Sequence, residues 1–173
     1  MCTWLVVASP LTATELRAML PPGLAADPLP PAALPGLRRL LPAARTLAVL
    51  RRGACACDFF LEREGGADER HLRRRYALLG VHRALRHTAL ERHRRHPAPG
   101  TPAAWSRALA TLVREHARTA GDAAFLRLFA ADDPLRETIP PLALAPAVER
   151  RAADLPALAG DWLADAVPVI VRA

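Results

Sequence analysis

The sequence predicts an α+β fold: a single mixed β-sheet of about four to six strands, with helices packed mainly on one face. Three observations predict it. Short, apolar, β-rich runs stand at Thr3–Ala8, Thr46–Leu50, Ala123–Phe129 and Val167–Val171. Segments with helical spacing lie between them, around 12–20 and 101–116. Proline and glycine clusters punctuate the joins. The 173 residues suit one domain. Within 1–173, residues 1–62 read as strand, helix and hairpin, 63–97 as a basic helix, and 98–173 as a helix-strand-helix-strand remainder. Apolar residues make up 51% of the chain, enough for a core, although much of that share is Ala.

The elements follow in order. Thr3–Ala8 is the first strand. Thr12-x-x-Glu15 is a capping box that opens a helix carrying Leu16, Met19 and Leu20, and Pro21-Pro22-Gly23 stops it. Residues 21–36 are dense in proline and read as a loop, with a short helix from Pro31 to Leu41. Thr46–Leu50 is a second strand, Gly53 a turn and Cys57–Leu61 a third apolar stretch. Residues 46–62 therefore read as a hairpin-like unit, with Cys55-x-Cys57 at its bend or at the start of its return strand. After the Glu64-Gly65-Gly66 break, Asp68 caps a long basic helix reaching about His96. Thr101 and Pro102 supply an N-cap and an N1 proline for a helix with Trp105, Leu109, Leu112 and His116 at helical spacing, and Gly121 as its C′ residue. Ala123–Phe129 is a strand, and Asp132-Asp133-Pro134 a turn. Residues 137–144 read as a strand interrupted by Pro140-Pro141, residues 146–165 as one or two helices, and Val167–Val171 as the final strand.

Composition narrows the chemistry. The chain has no Lys, Asn or Gln and only two Ile, with an excess of Arg, Ala, Pro and Leu, the signature of a GC-rich coding sequence. Its formal net charge of +7 is carried by Arg alone, so arginine richness as a residue choice says little about partners. The distribution says more: residues 63–96 hold ten Arg against four acids. Without Lys there is no Walker lysine, no Schiff base to pyridoxal phosphate and no Ser-Lys dyad. G-x-G-x-x-G, G-x-S-x-G and H-E-x-x-H are absent. No nucleotide or pyridoxal phosphate cofactor is expected. Asp132-Asp133 suits a turn, and Asp161 with Asp165 a solvated helix face.

No segment approaches the roughly 18 uninterrupted apolar residues of a membrane span, and the N-terminal apolar run is short for a signal peptide. The expectation is a cytoplasmic protein with no membrane partner. A protein partner stays open.

The three cysteines, Cys2, Cys55 and Cys57, are the scarce and clustered reactive residues. In a reducing compartment they favour metal or thiol chemistry over a structural disulfide, and the odd count agrees. Residues i and i+2 of an extended segment share a side, so Cys55 and Cys57 suit one soft or borderline ion. A first strand paired with the 46–62 unit brings Cys2 to them. Three thiolates and one His make a Cys₃His zinc site, and three thiolates alone suit Cu(I). Candidates for the fourth ligand are His71, His82 and His116, or the terminal amine if Met1 is removed. The bland alternative is three small buried hydrophobes.

The Met1-Cys2 start, Trp4, the apolar strand and Gly53-Ala54-Cys55-Ala56-Cys57 resemble a group of small bacterial proteins that share an N-terminal Met-Cys and a later G-x-C-x-C. The resemblance covers about the first third of the chain. It implies that the three thiols belong together and brings no activity with it. Met1-Cys2 followed by Trp4-Leu5 also resembles class II glutamine amidotransferases, which use an N-terminal Cys nucleophile. That family's oxyanion hole needs an Asn, which this chain lacks.

Two rivals accompany the metal reading. One is a thiol or redox enzyme, with Arg51 or Arg52 depressing the pKa of a nucleophilic cysteine. The other is a nucleic-acid binder built on the arginines of residues 68–96, against which stands the near absence of interleaved aromatics, Tyr76 being the only one there. His93 and His96 near that helix end are read as exposed.

Overall fold

The computed structural model describes residues 2–30, 34–52, 56, 59–60, 82, 102–130 and 144–173. They form one six-stranded mixed sheet with helices on it. In chain order the elements are β1 (Cys2–Ser9), α1 (Ala13–Met19), β2 (Leu24–Pro28), α2 (Pro35–Leu40), β3 (Thr46–Arg52), α3 (Pro102–Ala120), β4 (Ala123–Ala130), β5 (Val148–Arg151) and β6 (Pro168–Arg172). The strand order is β2-β3-β1-β4-β6-β5. All neighbours are antiparallel except β5 and β6. The β1–β4 pairing joins the first third of the chain to its last third in one sheet.

β1 lies at the centre because it can be buried on both faces. Every residue from Thr3 to Ser9 is buried, which explains why the run is continuously apolar rather than alternating. Leu5 and Val7 face a core built with Leu16 of α1, Trp105, Leu109 and Val113 of α3, and Phe125. Phe125 meets Trp162 edge-on at 5.9 Å. Trp4, Val6 and Ala8 face a second core with Leu37 of α2, Leu47, Leu126 and Ile170. Among the described residues, α1 and α3 therefore cover one face, and α2 with flanking apolar residues covers the other.

Local signals act where expected. Thr12 and Glu15 form the reciprocal capping box at α1. Pro102 opens α3, and Gly121 follows its end at φ +83°, its N–H bonded to Ala117 C=O at 3.0 Å. Elsewhere tertiary pairing overrides the sequence pattern. The proline-dense 21–36 stretch contains β2, an edge strand ending at Pro28, where a missing N–H costs no central ladder bond. Residues 146–165 hold no α-helix. They form β5 and two short 3₁₀ turns, Ala152–Asp154 and Ala159–Asp161. Pro156 and Gly160 interrupt any helix there, while β6 offers β5 a parallel backbone partner. Of the expected 46–62 hairpin, Thr46–Arg52 is β3 and the described Phe59 N–H donates to Ala56 C=O at 3.1 Å; residues 53–55, 57–58 and 61–62 lie outside the described residues. The 68–96 helix except His82, the 132–134 turn and the 137–143 strand lie outside the described residues. Among the described residues, no helix is long and apolar enough to cross a membrane.

Candidate functional site

The N-terminal end of β1 is where the sequence places the thiols. The Cys2 backbone pairs with Ala130, and Thr3 pairs with Phe129. On the same stretch, the Ala56 N–H donates to the Thr3 carbonyl at 3.1 Å. Ala56 is the middle residue of the C-x-C pair and is buried. Cys55 and Cys57 themselves lie outside the described residues, as does His71. Among the described residues, which do not include those two cysteines, no cluster of three or more His, Cys, Asp or Glu is arranged for a metal.

What fixes Ala56 can be traced outward. Phe59, three residues on, is fully buried, and its carbonyl accepts the Ser106 hydroxyl at 3.1 Å. Ser106 Oγ in turn accepts the Ala159 N–H at 2.6 Å. One buried hydroxyl on α3 thus links the segment after the C-x-C to the turn at residues 159–161. Nothing in the local sequence marks Ser106 for this task, because both partners are more than 45 residues away.

Arginine lines this end of the sheet. Arg52 is buried, and its guanidinium sits 4.2 Å from the centre of the Trp105 ring. Arg127 of β4 lies 4.4 Å from the Phe60 ring. Such stacking sets a cation against an aromatic quadrupole. Arg51 instead pairs with Asp27 on β2. Of the two arginines that the sequence sets beside the thiols, only Arg52 belongs to the α3 side.

The candidate fourth ligands separate. His82 is exposed. His116 is buried in α3, and its Nε2 lies 2.7 Å from Ser9 Oγ. Ser9 and Cys2 are opposite ends of β1, and at about 3.3 Å per residue the strand holds them roughly 23 Å apart. His116 therefore leaves the ligand set. It is in the apolar stripe of α3 because its ring satisfies a buried serine. Burial lowers its pKa from the ordinary 6.5, and the Gly121 carbonyl opposes that shift. Beside this contact a groove of about 370 Å³ runs between α1 and α3, lined by Leu11, Glu15, Ala18, Met19, Glu115 and Thr119.

Comparison with protein-family models, curated proteins and solved structures finds no match to this chain.

Proposed function

We propose that this protein carries a thiolate site formed by Cys2, Cys55 and Cys57, which binds Zn²⁺ or another thiophilic metal in a structural or accessory role. The observation that carries the reading is the Ala56 N–H to Thr3 C=O hydrogen bond. Its two residues are the covalent neighbours of all three cysteines. Consecutive Cα atoms are about 3.8 Å apart, so a bond between the neighbours of the cysteines supports reading the three thiols together. The donor set fits the chemistry: three thiols supply soft anionic ligands for Zn²⁺ or Cu(I). With His116 excluded, the fourth position falls to His71, His82, the terminal amine or water. The reading carries a cytoplasmic setting, where thiols stay reduced.

The test is elemental analysis of protein purified without a metal-affinity tag. We expect near-stoichiometric metal, lost in the Cys55→Ser/Cys57→Ser variant. Metal-free protein whose three thiols all titrate freely overturns the proposal. One cysteine alkylating far faster than the others at neutral pH favours the thiol enzyme. Nucleic-acid binding that weakens steeply with salt, in metal-free protein, favours the arginine-rich segment as the functional element.

A further inference from the structure

We infer that the Ser9–His116 contact is an acid-sensitive latch that holds the turn entering α1 to α3 beside the groove between the two helices. Ser9 and His116 are 107 positions apart and both buried, with Oγ and Nε2 at 2.7 Å. Ser9 Oγ also accepts the Leu11 N–H at 3.1 Å. Leu11 lines the groove, and Thr119, whose hydroxyl donates to the His116 carbonyl at 3.4 Å, lines it too. The latch therefore joins the turn entering α1 to the C-terminal half of α3.

Its acid sensitivity follows from hydrogen-bond inventory. With imidazole neutral and Nε2 bare, the Ser9 hydroxyl donates to Nε2 while its oxygen accepts from Leu11. His116 Nδ1 has no partner at normal hydrogen-bond geometry. A second ring proton turns Nε2 into a donor, so the Ser9 proton must find another acceptor. It also places a full charge in a buried site. The surrounding charges are already engaged with one another: Glu15 with Arg45 at 3.9 Å, Glu115 with Arg118 at 3.9 Å, and Asp122 with Arg172 at 2.6 Å. Among the described residues the causes acting on the His116 ring are burial and the Gly121 carbonyl, with no carboxylate to stabilise an imidazolium. The open form, with the ring in water, binds the proton better. The closed form is fully favoured above the ordinary value of 6.5 and loses ground as pH falls below it.

Amide exchange across pH 7.5 to 5, corrected for intrinsic rates, tests this alongside NMR titration of the His116 ring. We expect the Leu11 amide to lose protection as His116 protonates, while Leu126 in β4 stays protected. In His116→Gln, which keeps a neutral hydrogen-bonding group, Leu11 protection should be flat with pH. Should that variant not fold, Ser9→Ala should leave Leu11 poorly protected at every pH. Leu11 protection unchanged while the ring titrates overturns the latch. So does simultaneous loss at Leu126, because the event would then be global unfolding, and so does a ring that titrates at its ordinary value.

Discussion

Ser106 bonds two distant backbone groups through one hydroxyl. Replacing it with Ala leaves the Ala159 N–H and the Phe59 C=O buried without their partner. An unsatisfied buried group costs about 1–3 kcal/mol. We expect Ser106→Ala to lower the urea midpoint accordingly and to loosen the segment containing Ala56, read as reduced metal content under the proposed function. An unchanged midpoint would show that water or rearrangement replaces the hydroxyl. His116 teaches a related lesson. Its spacing with Trp105, Leu109 and Leu112 marks it as inward-facing in the sequence, but the identity of its partner, Ser9, has no local signature.

Helix and strand ends show where local rules suffice. Gly121 sits at φ +83° with nothing within 4 Å of the position a Cβ would take. Gly121→Ala therefore costs backbone strain alone, about 1–2 kcal/mol. Gly23, at φ +90°, has the Trp105 ring 3.1 Å from that position. Gly23→Ala adds a displaced indole to the same strain, so its melting temperature should fall further than that of Gly121→Ala. Equal losses in thermal melts would contradict the close approach of Trp105. The sequence marks both glycines as stops. Only packing distinguishes them, because the indole reaches Gly23 from a helix roughly 80 residues later in the chain. β2 and β5 are the counterexamples. Neither has a strong strand pattern, and β5 is exposed along its length, yet each gains its backbone bonds from a committed neighbour.

At the scale of the whole molecule the sheet has two apolar faces, so neither set of helices is dispensable. Leu109 on the α3 side and Leu37 on the α2 side are both fully buried. Truncating either to Ala should cost about 2–5 kcal/mol in urea unfolding. A negligible cost for Leu37→Ala would mean that the α2 face contributes little to stability. The expectation of helices mainly on one face was legible from their number and amphipathic pattern. The second core was not: the short helix is legible at Pro31–Leu41, but nothing local says that it and its flanking leucines cover the opposite face of the sheet from α1 and α3.

The α+β class, the central apolar strands, the capping box of α1 and both ends of α3 were determined by the sequence itself. These rest on interactions within a few residues, or on an apolar run long enough to demand burial on both faces. Strand order, the edge strands, the Ala56–Thr3 contact and the placement of His116 at the opposite end of β1 from Cys2 were decided by tertiary structure alone. A backbone N–H or C=O carries no address, and its partner is chosen by what the whole sheet brings within reach.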